Sequence, residues 1–291
     1  MQNSWLIYIV KSQIDKSEMK FSIITINYNN KEGLKRTIDS VVAQTFRDFE
    51  WLLIDGGSTD GSRELIEENK HHFSYWCSEK DNGVYNAQNK GIQRAKGEYV
   101  LLLNSGDCLA SSNVLAEVIK CGVQSDFILG NMIVHEGGDD YIWDIKEEAL
   151  TARQFFYGTL PHPGTFIKRT MFEQFGLYDE EMKICSDWKF FVEAILIGQA
   201  TLKKIPVTIS IFEAGGMSDR MIEQSDKERK QVLDKIFPPL VQKDYRLLDS
   251  LLELKRVWLF DKLYSILYRA SVGWQYLFCK KQKIGSNFRK L

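Results

Sequence analysis

The chain is poor in the residues that impose special architectures, with 5 cysteines, 5 prolines and 4 histidines in 291 residues. Cys77, Cys108, Cys121, Cys185 and Cys279 are odd in number, far apart and without a C-x-x-C pair. That spacing encodes neither a zinc site nor a redox dithiol, and it suits a reduced, cytoplasmic setting. No apolar run approaches the roughly 20 residues of a membrane-spanning helix, the longest being Trp5 to Val10 and Tyr99 to Leu103. The first of these is too short for a signal-peptide core and has no basic region before it, so residues 1–18 read as an N-terminal extension and Met19 as an alternative start. A net charge of -1 leaves no global field to hold nucleic acid. Hydrophobic residues at 44% and charged residues at 26% exclude disorder, collagen-like repeats and coiled-coil arrays, leaving one large α/β domain or two smaller ones.

What is present is an alternation of strands and helices. Phe21 to Asn27 is β-branched and apolar on both faces, as in a buried parallel strand. Between Lys31 and Thr45, Leu34, Ile38, Val41 and Val42 form one helical stripe. Phe49 to Ile54 predicts a second strand and Arg63 to Asn69 a second helix. Asn86 to Ala95 predicts a third helix, ended by Gly97, and Glu98 to Leu103 a third strand. This βαβ order implies a doubly wound sheet with right-handed crossovers, whose ligands bind beyond the carboxyl ends of the strands. Asn27, Asp55 and Asp107 all stand at such ends and should converge on one crevice. Further on, Phe127 to Val134 and Tyr141 to Ile145 predict antiparallel additions, Pro161-His162-Pro163 a loop, and Asp187 to Leu196 a helix. After Gly215-Gly216 a charged, leucine-rich helical stretch runs to the C-terminus with a break at Pro238-Pro239.

Two turns carry candidate chemistry. Asp55-Gly-Gly-Ser-Thr-Asp-Gly-Ser62 has the glycines of a loop that lets a ligand approach its backbone, or of an ordinary turn. It lacks the Gly-Lys-Ser/Thr of a P-loop and the oxygen spacing of an EF-hand. Asn104-Ser-Gly-Asp107 places a carboxylate on a tight turn after a hydrophobic strand, suited to an oxygen-ligated Mg²⁺ or Mn²⁺ on a diphosphate, or simply to an Asx-turn.

In combination these segments are far more specific. Asn27-Tyr-Asn-Asn30, Asp55-Gly-Gly-Ser-Thr-Asp60, Asp81-Asn-Gly-Val-Tyr-Asn-Ala-Gln-Asn-Lys-Gly91 and Gly97 to Asp107, in this order, resemble glycosyltransferase family 2 over about residues 20–215. The resemblance implies a GT-A fold: an α/β, Rossmann-like nucleotide-diphospho-sugar transferase with a mixed, mostly parallel central sheet flanked by helices, occupying residues 19–215, and a helical C-terminal extension over 216–291. It implies an inverting transfer from a nucleotide-diphosphate sugar, a UDP-sugar foremost, to a hydroxyl on a glycan or lipid-linked acceptor in surface polysaccharide or lipid-linked glycan synthesis.

Carried over residue by residue, the resemblance sets Tyr28 and the backbone around Ile26 against the base and makes Asp55 a nucleotide contact. Gly56 departs from the pattern, standing where many members have a second aspartate that recognises uracil, so base recognition shifts toward Asp81. Asn104 to Asp107 matches the Asp-x-Asp metal motif with only Asp107 kept as a carboxylate, implying Mg²⁺ or Mn²⁺ beside Asn104. Lys90 reads equally as a partner of the diphosphate and as a solvated helix lysine. His162 resembles a histidine that meets the diphosphate, metal or acceptor, and reads equally as a structured loop residue. Asp187, in Ile184-Cys-Ser-Asp-Trp-Lys-Phe-Phe191, matches the general base, although an aspartate there is in isolation an N-cap. Gly215-Gly216-Met-Ser218 resembles a segment that closes over the donor, and reads as well as a linker. A non-catalytic sugar-nucleotide-binding protein is the alternative outside enzymes. A nucleotidyltransferase would carry a basic, glycine-rich loop near the N-terminus, which is absent.

Near-neutrality conceals an asymmetry. Residues 255–291 hold nine basic side chains and one acidic one, a net +8, against -9 for the rest. Trp258, Phe260, Tyr264, Tyr268, Trp274, Tyr276 and Phe278 are interleaved with them. This is the composition of an amphipathic helix on an anionic membrane surface, here the inner face of the plasma membrane, and equally of a tail packed on the catalytic domain. No nucleic-acid-binding fold accompanies it.

Overall fold

The computed structural model describes residues 20–122 and 124–256, together with 262 and 267. Residues 1–232 and 233–291 form two compact units. The first is built on a nine-stranded sheet in the order β3 (Tyr75–Ser78), β2 (Phe49–Asp55), β1 (Phe21–Asn27), β4 (Tyr99–Leu102), β8 (Thr165–Lys168), β6 (Phe127–Glu136), β9 (Leu202–Glu213), β5 (Cys108–Leu109), with β7 (Asp139–Trp143) paired to β6.

In one half of that sheet, β1 (Phe21–Asn27), β2 (Phe49–Asp55), β3 (Tyr75–Ser78) and β4 (Tyr99–Leu102) are parallel. The helices between them are α1 (Lys31–Val42), α2 (Ser62–Asn69) and α3 (Val84–Ile92). Phe21, Ile23, Ile24, Leu53 and Leu101 are wholly buried, as the continuous apolar runs predict. Leu34, Ile38 and Val41 of α1 pack into the same core, each contributing about 1.5–3 kcal/mol. Asn30 begins α1 by accepting the Gly33 N–H at 3.2 Å.

The strand β3 was not legible in the sequence. It is four residues long, none of them fully buried, at the edge of the sheet, which is too short for an alternation to register. The register decides what stands at the strand ends. Asn27 pairs with Asp55, and Asp55 with Ser78, so three polar side chains arrive side by side at the carboxyl ends of β1, β2 and β3.

The other half of the sheet is mixed. The strand β8 (Thr165–Lys168) runs antiparallel to β4 and to β6 (Phe127–Glu136), and β7 (Asp139–Trp143) is antiparallel to β6. The strand β9 (Leu202–Glu213) lies parallel to β6 and antiparallel to β5 (Cys108–Leu109). The helices of this half are α4 (Val114–Lys120), α5 (Ala152–Tyr157), α6 (Thr170–Phe175) and α7 (Ser186–Phe191). The helix expected over 187–196 is α for its first part only. It continues as a π-helix over Val192–Ile197, closed by a Gly198 N–H to Glu193 carbonyl bond of 2.8 Å.

Beyond the sheet come α8 (Met217–Arg220), α9 (Ile222–Ile236) and α10 (Pro239–Arg256). The change of character expected at 215/216 therefore precedes the division of the two units, and residues 222–232 of α9 belong to the first. In the second unit, Gln242 Nε2 donates to the carbonyls of Leu233 at 3.2 Å and Phe237 at 3.0 Å across the Pro238-Pro239 break. Of residues 255–291, which carry the basic, aromatic tail, all but 255, 256, 262 and 267 lie outside the described residues. Among the described residues, no helix is long and apolar enough to cross a membrane.

Candidate active site

Asp55, expected as a nucleotide contact, is 0% exposed and is employed within the protein. Its Oδ1 accepts from Asn27 Nδ2 at 2.8 Å and Ser58 Oγ at 2.5 Å. Its Oδ2 accepts from Ser78 Oγ at 2.7 Å and from the N–H groups of Ser58 and Gly57 at 2.9 and 3.2 Å. Burial raises the carboxyl pKa, but the bonds from Ser58, Ser78 and Asn27 together outweigh it and hold it below the ordinary value. In this structure the residue shapes the 55–58 turn from behind. A left-handed φ of 82° at Gly57 completes that turn.

On the front of the turn, the space beside Gly56 is occupied. A Cβ on Gly56 would stand 2.5 Å from Asp81 Oδ2 and 3.2 Å from Tyr28 Cδ2. The Asp81 carboxylate thus occupies the space a side chain at 56 would need, beside the Tyr28 ring, which is 66% exposed. Asp81 Oδ1 accepts the Gly83 N–H at 3.0 Å, which sets the carboxylate's direction. The Ile26 carbonyl is bonded to Ser105 N at 2.9 Å and so ties β1 to the turn after β4.

A second cluster joins that turn to α7. Asn104 Oδ1 accepts from Gln88 Nε2 at 3.2 Å, and Asn104 Nδ2 lies 3.1 Å from His162 Nε2. His162 Nδ1 in turn faces Asp187 Oδ2 at 3.6 Å, and Tyr85 Oη donates to Asp187 Oδ1 at 3.0 Å. Burial lowers the His162 pKa more than Asp187 raises it, so the ring is neutral. Assigning the Asn104 amide as donor to Nε2 places the ring proton on Nδ1, on the side of the Asp187 carboxylate. Burial, and then the Asp187 charge, hold the Tyr85 hydroxyl far above its usual pKa, so it remains a donor. Asp187 is therefore held firmly through one oxygen and loosely through the other, and its side chain keeps 18% exposure through which a proton can be taken up.

The expected metal position must be tested against its donors. Asp107 is 5% exposed, and burial pushes its carboxyl up to about 8, with backbone groups of Asn104 and Glu213 opposing the rise and the Glu213 charge adding to it. Among the described residues no three His, Cys, Asp or Glu side chains gather as a ligand set. A lone carboxylate nevertheless fits the way Mg²⁺ is usually held at phosphates, by one or two carboxylates with waters and phosphate oxygens, and it does not fit a resident all-protein cage.

The sequence-expected residues thus fall into groups. Asn104, His162 and Asp187 are linked by contacts, Tyr28 and Asp81 meet at Gly56, and Asp55 lies behind them. Lys90 is paired with Glu79 Oε1 at 2.8 Å, a bond that raises its pKa. Tyr85 and Gln88 were missed as site residues. They sit three apart on α3 within the quoted Asp81 to Gly91 segment, and that spacing on a helix facing the crevice was the available signal.

The sequence profile described as Glycosyl transferase family 2 matches residues 22–185. An uncharacterized glycosyltransferase of Mycobacterium tuberculosis is 30% identical over 203 residues, covering 65% of this chain and 71% of its own length. A PGL/p-HBAD biosynthesis glycosyltransferase of Mycobacterium bovis is 28% identical over 216 residues, covering 72% of this chain and 83% of its own length. Among solved structures, residues 1–349 of Staphylococcus aureus TarS in complex with UDP superpose with a TM-score of 0.58 at 21% identity, covering 67% of this chain and 61% of that one. The Pyrobaculum calidifontis mannosyltransferase in complex with GDP-Man and Mn²⁺ does so with a TM-score of 0.57 at 15% identity, covering 96% and 87%. The fold is that of the GT-A glycosyltransferases, and the chain belongs to glycosyltransferase family 2.

Proposed function

We propose that the chain transfers a sugar, with inversion, from a nucleotide-diphosphate donor to an acceptor hydroxyl, with Asp187 as general base. The observation that carries this reading is the Asp187 carboxylate, bonded to Tyr85 on one oxygen, faced by His162 on the other, and joined through His162 to Asn104 on the turn after β4. Asp187 removes the acceptor hydroxyl proton as that oxygen bonds to the anomeric carbon, and the bond from that carbon to the diphosphate oxygen breaks on the opposite face. Tyr85 orients the carboxylate, and the neutral His162 ring screens its second oxygen without neutralising it. A Mg²⁺ or Mn²⁺ ion, with Asp107 as its protein ligand, would neutralise charge on the leaving diphosphate. Tyr28 and Asp81 flank the base.

A UDP-sugar is the first candidate donor. This is supported by the family pattern and by the binding of UDP and UDP-GlcNAc in the TarS complexes, while GDP-mannose in the Pyrobaculum complex keeps guanine in view. The acceptor is a glycan or lipid-linked glycan at the cytoplasmic membrane face, a reading supported by the basic, aromatic residues 255–291.

The test is thermal unfolding of the full chain with UDP-glucose, UDP-galactose, UDP-GlcNAc and GDP-mannose, with and without Mn²⁺. A bound donor raises the melting temperature by mass action, and EDTA abolishes the rise. With the stabilising donor, Asp187→Asn is expected to bind equally and to lose about 10²–10⁴-fold in kcat. Equal turnover would remove Asp187 from the role of base. Stabilisation without any turnover in either protein would favour a sugar-nucleotide-binding protein.

A further inference from the structure

The helix α9 is solvated over most of its surface and buries only Glu228 and Val232. A buried carboxylate on such a helix requires partners, and Glu228, 4% exposed, has four. It accepts the consecutive backbone N–H groups of Lys183, Ile184 and Cys185 at 2.9, 3.1 and 3.1 Å, and Gln224 Nε2 at 2.8 Å. Those three amides lead directly into α7, whose Cys185 side chain makes no capping bond to it.

Two neighbours on the same face of α9 act on the same segment. Ser225 Oγ lies 3.2 Å from Cys185 Sγ. The Arg229 guanidinium lies over the Trp188 ring, 4.9 Å from its centroid, and donates to the Gly158 carbonyl at 2.9 Å. Residues 225, 228 and 229 share this face because they are spaced i, i+3 and i+4. Trp188 Nε1 donates to the Phe155 carbonyl at 2.7 Å. The backbone before Asp187 and the side chain after it are thus both held by one helix.

We propose that Glu228 is a positioning residue for Asp187. By collecting three successive N–H groups it sets where α7 begins, and so where the Asp187 carboxylate stands between Tyr85 and His162. The inference rests on Asp187 being the base. It also explains why an anion occupies this place. Three converging N–H groups form a concave donor site that a two-oxygen carboxylate satisfies, whereas the amide of a glutamine has one acceptor oxygen and turns a donor toward the remaining N–H groups. Glu228→Gln is therefore the discriminating change, close in shape but unable to accept all four bonds.

The experiment uses the full chain and needs no donor. Amide exchange reads the tether, and long-range ¹H–¹⁵N spectra of the imidazoles read the position of Asp187 through the tautomer of His162. His71, His72 and His135 serve as internal controls. In Glu228→Gln the amides of 183–185 are expected to lose about tenfold or more in protection. His162 is expected to leave the pure Nδ1–H form for a mixture, with the other three rings unchanged. General destabilisation would lower the melting temperature without moving His162 alone. A folded Glu228→Gln chain with an unchanged His162 overturns the inference, whether or not the amides exchange faster.

If Glu228→Gln does not fold, Gln224→Ala, which removes one donor to the same carboxylate, is read in the same way. A smaller change of the same sign at His162 supports the inference and no change overturns it. Asp187→Asn separates the two possible failures. If His162 ignores Asp187→Asn, the contact beneath the base reading is absent and both fall. If His162 responds to Asp187→Asn and not to Glu228→Gln, only the role of Glu228 falls.

Discussion

Asp55 offers the sharpest quantitative test, because its five bonds are unequal in how they tolerate a neutral replacement. In Asp55→Asn the new amide group fits best at the Oδ1 position, facing Asn27 and Ser58. Asn27 Oδ1 has no partner in the structure, so Asn27 can turn its amide and accept, giving up its 3.1 Å bond to Ser58 Oγ. The carbonyl oxygen then remains for Ser58 N, Gly57 N and Ser78 Oγ. The loss is then charge-assisted bonds becoming neutral ones together with the Asn27–Ser58 bond, about 2 kcal/mol in all. Asp55→Ala removes every acceptor and strands the Ser58 N–H, costing about 4 kcal/mol or more. For a unit of this size the expected falls in melting temperature are about 4–8 °C and about 8–16 °C.

The pH dependence has a definite sign. The folded carboxyl titrates below its ordinary value of 3.8, so its contribution is complete above that pH and is lost as pH falls through the folded value. The deficit of Asp55→Asn, measured by urea unfolding, is full at neutral pH and shrinks below about pH 4. Equal losses in the two variants, or a deficit independent of pH, would refute the account of Asp55 as an ionised anchor of the turn.

Two further outcomes are expected. Gly56→Ala places a Cβ 2.5 Å from the movable end of Asp81, so stability should change by less than about 1 kcal/mol while the carboxylate is displaced; the stabilisation by the preferred nucleotide sugar should then fall by an amount equivalent to about tenfold in affinity, and unchanged binding would separate Asp81 from the base. Trp188→Phe leaves the Phe155 carbonyl without its donor and the Arg229 guanidinium over a smaller ring, for a loss of about 2–3 kcal/mol by urea unfolding; a loss below about 1 kcal/mol would show that α9 does not grip α7 through this side chain.

Legibility followed the range of the interactions concerned. The strands β1, β2 and β4 and the helix α1 could be read from apolar periodicity because each owes its existence to a local pattern facing one core. The strand β3 could not, since it depends on pairing with β2, and the π-helix after α7 could not, since its apolar pattern does not differ from that of an α-helix. Gly56 marks the vacancy in the motif from which a shift toward Asp81 is expected. The shared space of the two residues appears only when the turn after β2 is folded against residues 79–83. Tyr85 lies within the Asp81 to Gly91 motif, but its contact is not legible there because its partner Asp187 is 102 residues away.

The sequence by itself determined the family, three of the four parallel strands and the polar residues that follow them, since these follow from local periodicity and motif spacing. Only the tertiary structure decided how those residues are used. Strand register set Asn27, Asp55 and Ser78 side by side and turned Asp55 inward. Packing closed the chain of contacts from Asn104 through His162 to Asp187. The helix α9 reads in sequence as the start of a charged C-terminal extension, yet it delivers Glu228 to the backbone before Asp187. A buried carboxylate is stable only where donors converge on it, and that convergence is a property of the folded chain.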